Sequence, residues 1–306
     1  MSSVVVVGSL NMDLVASTKK MPRAGETVIG ASFQQIPGGK GANQAVAIAR
    51  LGGNVRMIGT VGDDGFGDTL VEALNKDKVD TASVRKENDC STGVAVITVD
   101  EQANNSIIVI PGANYRMTIE DIDNCIDQIN ESDLVVLQLE VPIEVVKHTL
   151  VKAKELGKYT ILNPAPAQYL DNDIISKVDL LIPNETELEI LSGITIKDQN
   201  DILEAGRKLV ASGVKELIVT LGEQGCLYLT GKEYRYFKAY KVSAIDTTAA
   251  GDSFVGGITI GLMNGLEMDQ AIELASKVGA LTVTKQGAQS SLPYLEAVTQ
   301  FKGELL

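Results

Sequence analysis

The 306-residue chain has no tryptophan, one histidine, three cysteines and too few basic residues to balance its acids. The formal net charge of −13 leaves no basic face for a phosphate backbone, so no nucleic-acid partner is expected. Nucleotides stay open, because backbone amides and Mg²⁺ can carry phosphates. No apolar run approaches the roughly eighteen residues of a membrane span, so no membrane partner is expected. Met1-Ser2-Ser3 lacks the basic start of a secretory signal, and the chain reads as cytoplasmic. Cys90, Cys125 and Cys226 are odd in number and widely spaced, which fits reduced thiols and no zinc site. His148, within Val145–Leu150, reads as a solvated helix-face residue, so a Ser-His-Asp triad has no histidine to use. An acid–base enzyme made from this chain needs a carboxylate as its base. The scarcity of aromatic residues also leaves no slot for a nucleoside substrate.

What the chain does have is turns of small residues that open helices. In Ala244-Ile245-Asp246-Thr247-Thr248-Ala249-Ala250-Gly251-Asp252-Ser253-Phe254 a β-branched stretch reads as a strand closing at Ile245. The spacing of Phe254, Val255, Ile258 and Leu262 then predicts a helix. The amides of Ala249, Ala250 and Gly251 fall in its first turn, without intrahelical acceptors and at the positive end of its dipole. Such a turn receives an anion without any basic side chain. Asp252 stands at its edge. Phosphate repels a carboxylate, so Asp252 suits a different task, taking a proton from a hydroxyl that attacks phosphorus. The plainer reading is a carboxylate that stabilises a helix start.

Upstream, Val4–Val7 reads as a buried strand closing at Gly8-Ser9. Asn11 and Asp13 follow it, where open α/β sheets hold ligands, and they suit sugar hydroxyls; an Asx turn would use the same residues. Leu14–Ala16 and Thr27–Phe33 read as short strands around a turn at Pro22–Gly25. Ile36-Pro37-Gly38-Gly39-Lys40-Gly41-Ala42-Asn43-Gln44-Ala45 looks like a phosphate loop but has Gly41 where Ser or Thr is required. Its small residues let backbone approach a ligand closely, and Asn43 falls in the first turn of a helix, which suits a neutral polyol. Val55–Val61 reads as a strand, with a helix running to Leu74. Thr92–Val99 and Asn104–Ile110 read as a hairpin with no helix between them. With the early strands it predicts a separate small sheet, a lid over the site.

From Leu134 the pattern is β-α repeated. Strands end at Glu140, at Asn163-Pro164 and at Pro183-Asn184, with a helix over Val145–Leu156. Asn184 and Glu187 have capping-box spacing, which fits equally well outer-shell support of a magnesium–phosphate cluster. Leu217–Gly225 is a strand entering a glycine turn; Thr220, Gly222 and Gly225 either border a nucleotide or simply turn a hairpin. Met268–Thr284 reads as a helix.

The Gly38–Asn43 loop and the Asp246–Asp252 turn, with Asn11-Met12-Asp13, Asn184-x-x-Glu187 and Thr220-Leu221-Gly222, together resemble the PfkB carbohydrate kinase family from end to end. The Asn-Met-Asp and Gly-Gly-Lys-Gly-Ala-Asn-Gln-Ala details resemble its ribokinase branch. The resemblance implies an α/β fold of the ribokinase-like kind, a three-layer α/β/α sandwich forming one domain over residues 1–306, with a small β-sheet lid from about 12–35 and 91–111. It implies transfer of the γ-phosphoryl group of ATP to the 5-hydroxyl of D-ribose. It places Asn11, Met12, Asp13, Gly39, Lys40, Gly41, Ala42, Asn43 and Glu140 on the sugar and makes Asp252 the base. The amides of Ala249, Ala250, Gly251 and Asp252 become an anion hole. Asn184 and Glu187 serve Mg²⁺, while Asn184, Thr220, Leu221, Gly222, Glu223, Gln224, Gly225, Gly251, Asp252 and Ser276 border the nucleotide. Asp246, Thr248, Thr282, Lys285, Gly287 and Ser291 are implied to hold K⁺, mostly through backbone oxygens. The chain departs from the family's usual glycine at Ala249. A sheet as small as the lid rarely stands alone, so a homodimer formed through it is expected. A dehydrogenase would need a glycine fingerprint that Gly8-Ser9-Leu10-Asn11 does not supply, and a silent nucleotide-binding regulator would be expected to lack the base or the anion hole.

Overall fold

The run Val4–Val7 is wholly buried and forms the central strand β1 (Ser3–Val7). Val4 and Val6 enter one hydrophobic core, Val5 and Val7 a second one on the opposite face, as a period of two requires. A strand covered on both faces needs apolar residues throughout, which is why this run does not alternate. The computed structural model describes residues 2–102 and 104–306.

In chain order β1 is followed by β2 (Asn11–Thr18), β3 (Gly30–Gly38), α1 (Lys40–Arg50), β4 (Asn54–Gly62), α2 (Gly65–Lys76), β5 (Asp80–Glu87), β6 (Gly93–Asp100) and β7 (Asn105–Ile110). After a 3₁₀ turn at Gly112–Arg116 come α3 (Ile119–Asn124), α4 (Ile126–Glu131), β8 (Leu134–Leu137), α5 (Ile143–Glu155), β9 (Tyr159–Leu162), α6 (Asn172–Ile175), β10 (Leu180–Leu181), α7 (Glu185–Ser192) and α8 (Gln199–Ala211). The chain continues with β11 (Glu216–Thr220), β12 (Cys226–Thr230), β13 (Tyr234–Phe237), α9 (Ala250–Met263), α10 (Met268–Thr282) and α11 (Leu295–Gln300).

The large sheet runs β13-β12-β11-β10-β9-β8-β1-β4-β5, parallel except for the antiparallel pairings of β12 and β13. Helices α1, α2, α9, α10 and α11 supply one core, and α3 to α8 the other, so the sheet is the middle of three layers. From β1 the chain builds outward through β4 to β5, then returns to β8 and builds the other way. The order therefore reverses between β1 and β8, and the crevice beyond their carboxyl ends is where such sheets hold ligands. A second sheet, β3-β2-β6-β7, carries the expected hairpin: β6 and β7 are antiparallel, and β2 pairs with β6 in parallel.

Several expectations need correcting. The segment before α9 is not a strand. The amides of Ile245 and Asp246 both donate to the Val283 carbonyl, at 2.7 and 3.2 Å, so a helix end holds the segment, and Ile245 is exposed. Its β-branched residues have no sheet to enter. Thr27–Ile29 lies outside β3, which starts at Gly30 and takes in Ile36, Pro37 and Gly38 of the supposed loop. His148 lies on α5, but half-buried, with its Nε2 2.6 Å from Asp123, so it is a hydrogen-bond partner rather than a freely solvated group. The three cysteines are free thiols.

Candidate active site

Two helices begin at the crevice beyond β1 and β8. α1 starts at Lys40 after Gly39, whose φ of 90° no L-side chain adopts comfortably. A Cβ at Gly39 would lie 2.6 Å from the Asn11 amide nitrogen, so only glycine lets this turn pass the start of β2. α9 starts after Ala249, which holds φ 58°, the left-handed region glycine usually fills. The two helices touch at small residues, since a Cβ at Gly256 would lie 2.5 Å from the Ala47 Cβ. Gly256 is one turn beyond Asp252 and Ala47 one turn beyond Asn43, so this contact faces the first turns toward each other.

Asp252 is buried, 6% exposed, at the third position of α9. Its Oδ2 accepts from Asn43 Nδ2 at 2.9 Å and its Oδ1 from Gln44 Nε2 at 3.0 Å. It caps no backbone group of its own helix, though as an acid in the first turn it still faces the positive end of the helix dipole. Asn43 Oδ1 is buried and has no partner, an acceptor left open beside the carboxylate. The Ala250 amide donates to Thr247 O at 3.2 Å, so it is less available to an anion than expected. Among the described residues the amides of Ala249, Gly251 and Asp252 have no acceptor within the protein.

The Gly38–Asn43 loop spends most of its amides internally. Lys40 N donates to Glu140 Oε2 at 3.1 Å, Gly41 N to Ser9 Oγ at 3.3 Å, Ala42 N to Ser9 O at 2.9 Å and Asn43 N to Gly39 O at 2.8 Å. Ser9 Oγ in turn donates to Glu140. Among the described residues the Gly39 amide has no acceptor, so a ligand here meets side chains and that one amide. Met12 and Ala42 lie in the core. Asn11 Oδ1 accepts from Asn114 Nδ2 at 2.7 Å, and Asn114 also bonds both backbone groups of Leu10, locking the β1–β2 crossing. Asp13 projects from β2 against Gly38, where a Cβ would lie 2.4 Å from its Oδ2.

Four carboxylates surround one lysine. Burial, then the charges of Glu140 and Asp252, push Asp13 up to about 7, with Lys40 opposing. Burial works against the Lys40 charge, but Asp252, Glu140, Glu187 and Asp13 outweigh it and hold its ammonium above the usual range. Burial raises Glu187, against the Asn184 amide and Lys40. Asn184 and Glu187 do form the capping box of α7, with bonds of 2.8 Å in each direction. Glu187 is nonetheless buried and belongs electrostatically to the Lys40–Asp252 cluster.

Asp13 has a consequence for stability. The unfolded chain releases this proton near 3.8, the folded protein only near 7. Between those values the folded state binds more protons, so stability falls as pH rises and the loss is complete above about 7. Asp13→Asn should therefore melt higher than the parent at pH 8, with the gap closing toward pH 4 in thermal melts. A gap constant across that range would show that the buried carboxylate does not carry this cost.

The Thr220–Gly225 stretch is the turn of the β11–β12 hairpin, with a 3₁₀ turn at Gly222–Gln224. It reaches the site through a parallel bridge between Asn184 and Thr220 and the bond from Thr220 N to Pro183 O at 2.9 Å. Leu221 is buried, while Gly222, Glu223 and Gln224 are exposed. Ser276 lies on α10, one turn before Gly279, which faces Ala250; no hydrogen bond joins its side chain to the Thr220–Gly225 turn. Asp246 Oδ1 accepts from the Thr248 amide and hydroxyl, at 2.9 and 2.6 Å, and Oδ2 from the Gly287 amide at 2.9 Å. Burial opposes its charge, but these bonds prevail and hold its carboxyl below the usual range. The carboxylate thus ties the turn before α9 to the loop of Lys285 and Gly287. Thr282 and Ser291 are buried beside that loop and bond their own backbone, at Val278 O and Ala288 O. No group of three or more His, Cys, Asp or Glu side chains able to hold a metal is found among the described residues.

Gln44, Gln138, Asn163 and Ser9 were not singled out from sequence. Gln138 and Asn163 follow β8 and β9, and polar residues at the carboxyl ends of parallel strands are the signal that could have found them.

A buried carboxylate among amide donors, beside free amides at a helix start and at the reversal of a doubly wound sheet, defines an enzyme of the small-molecule kinase type. Residues 1–295 match the pfkB family carbohydrate kinase, and the chain belongs to that family. It is similar to a ribokinase of Staphylococcus aureus, 40% identical over 98% of this chain and 99% of that one. It is equally similar, at 40% over 97% of this chain and 98% of the other, to a deoxyribokinase of Salmonella typhi. Among solved structures, Arabidopsis thaliana ribokinase complexed with ribose and ATP matches with a TM-score of 0.92 at 30% identity, over 99% of this chain and 100% of that one. Thermotoga maritima ribokinase matches with a TM-score of 0.90 at 37% identity, over 98% of each chain.

Proposed function

We propose that this protein transfers the γ-phosphoryl group of ATP to the 5-hydroxyl of D-ribose. The observation that carries the reading is the Asp252 carboxylate, buried in the first turn of α9 between the Asn43 amide and the free amides of Gly251 and Asp252. The sugar lies among Asn11, Asp13, Lys40, Asn43 and Glu140, and Asn43 Oδ1 receives one of its hydroxyls. Asp252 takes the proton of the 5-hydroxyl as that oxygen bonds to the γ-phosphorus. The bond to the β-phosphate bridging oxygen breaks, and ADP leaves. The amides of Ala249, Gly251 and Asp252 face the negative charge on the moving group, and the Thr220–Gly225 turn borders the nucleotide. Ser276, on α10, borders the nucleotide as well. Mg²⁺ bound with ATP would neutralise phosphate charge. Glu187, a buried carboxylate sharing one lysine with three others, fits a role in holding its waters, with Asn184 beside it. K⁺ would be held by Asp246 with oxygens from Thr248, Thr282, Lys285, Gly287 and Ser291, hard donors of the kind it takes.

A sugar panel tests the reading. A buried acceptor left without its hydroxyl costs about 1–3 kcal/mol, so ribose should exceed 2-deoxyribose by roughly tenfold or more in kcat/KM. The rate should also rise on exchanging Na⁺ for K⁺. Equal rates on both sugars would point to the deoxyribokinase side of the family, and indifference to K⁺ would remove that site.

The small sheet covers the sugar as a lid and joins two copies. Phe33, Val96, Ile107, Ile108, Val109 and Ile110 are exposed on it, and β3 and β7 are its two edges. A patch of this kind on a small sheet marks an interface. Light scattering at micromolar concentration should give a dimer, and Ile108→Lys should give a monomer. A monomeric parent with full activity would refute this. Free thiols and these substrates fit a cytoplasmic protein.

A further inference from the structure

We propose that Gln44 is the positioning residue for Asp252, held in its one working orientation by Asn163 and bonded on its oxygen by Gln138. The proposal rests on the phosphoryl-transfer reading and deepens it by assigning what aims the base. Gln44 and Gln138 are wholly buried, and Asn163 is 8% exposed. Both hydrogens of Gln44 Nε2 are engaged, one on Asp252 Oδ1 at 3.0 Å and one on Asn163 Oδ1 at 3.1 Å. Gln44 Oε1 accepts from Gln138 Nε2 at 2.6 Å.

The direction of this chain is fixed at its far end. Asn163 Nδ2 donates at 3.0 Å to the backbone carbonyl of Ile182, which can only accept. Asn163 must therefore turn its own oxygen toward Gln44. Gln44 must then present its NH₂, and the same NH₂ faces Asp252. A flipped Gln44 would set its oxygen against two acceptor oxygens, of Asp252 and of Asn163. Gln138 donates to Gln44 Oε1 and completes the set, its own oxygen being without a partner. An amide orientation is ordinarily assigned from its neighbours, and here the Asn163 branch ends on backbone. The groups come from α1, α9 and the ends of β8 and β9, so one polar chain crosses the sheet reversal and ends on the carboxylate.

Without Gln44, Asp252 hangs on Asn43 alone. Gln44→Met keeps the length and burial but removes both donors. Its kcat should fall roughly tenfold to a hundredfold with the KM for ribose and for ATP little changed, as misplacing a reacting group does. The deciding measurement is the residual rate of Gln44→Met combined with Asp252→Asn. If Gln44 acts through Asp252, the double variant is no slower than Asp252→Asn alone. Losses that multiply, or a Gln44→Met that keeps the parent kcat, would overturn the proposal. Near-normal turnover by Asp252→Asn would instead bring down the phosphoryl-transfer reading itself. Should Gln44→Met not fold, Gln138→Met removes only the donor to Gln44 Oε1; it should show a smaller kcat loss with the same absence of multiplication, and multiplication there would also refute the role.

Discussion

Replacing Asp252 with asparagine should lower kcat by roughly 10²–10⁴-fold while ATP binding stays near that of the parent protein. The substitution keeps shape and burial and removes the proton acceptor. The chain has one histidine, which lies on α5 paired with Asp123, so it offers no replacement base. The introduced carboxamide would keep the Gln44 bond on its oxygen. Its NH₂ would face Asn43, whose Oδ1 has no partner, so a flip of the Asn43 amide supplies the acceptor. The flip turns the Asn43 NH₂ to the buried side where its Oδ1 has no partner, so one donor is left unpaired and the melt should record a cost of about 1–3 kcal/mol. The backbone amides of Gly251 and of the substituted residue are unchanged and still receive phosphate. Measuring kcat, ATP affinity and melting together decides the matter, because near-normal turnover would mean that Asp252 is not the base.

The second large effect is expected at Gly39. Gly39→Ala should reduce kcat/KM by about 100-fold or more, because the backbone it would displace carries the site on both sides. The new methyl would lie 2.6 Å from Asn11 N and 2.9 Å from Leu10 Cα and Ser9 O, all backbone atoms with nowhere to move. The φ of 90° adds about 1–3 kcal/mol of strain. Relief would shift either the β1–β2 crossing or the start of α1, and so Asn11 or Asn43. Gly25→Ala is the control, since Gly25 has φ 79° but nothing within 4 Å of the added methyl. It should show the backbone cost in its melting temperature and parent activity per folded molecule. Gly39→Ala with undiminished kcat/KM would show that this close passage does not set the site.

Much of this could be read from the chain because burial writes itself locally. The four valines of β1, the small-residue opening of α1 and the turn at Asp252 each announce an element within a few residues. The edges were less legible. β5 reads Asp-Thr-Ala-Ser-Val-Arg-Lys-Glu and is half-exposed at the sheet margin, so no apolar pattern marks it. The residues before α9 misled in the opposite sense, since Ile245 has strand propensity but meets a helix end instead of a sheet. The amide chain behind Asp252 was the least legible part. Gln44 lies 94 residues from Gln138 and 119 from Asn163, and uncharged amides at such distances leave no spacing to read. The anion hole could be read only in part, because the capture of the Ala250 amide by Thr247 depends on the left-handed turn at Ala249.

The contact of Gly256 with Ala47 divides the site mechanically. Asn43, Gln44 and Asp252 all belong to the two helices clasped there, and Asp13 belongs to the other sheet. Under the proposed function the proton acceptor and the groups that aim it therefore share one tight contact, while one carboxylate assigned to the sugar is carried by the sheet proposed as a lid. A movement of that sheet would reach the sugar through Asp13 before it reached Asp252.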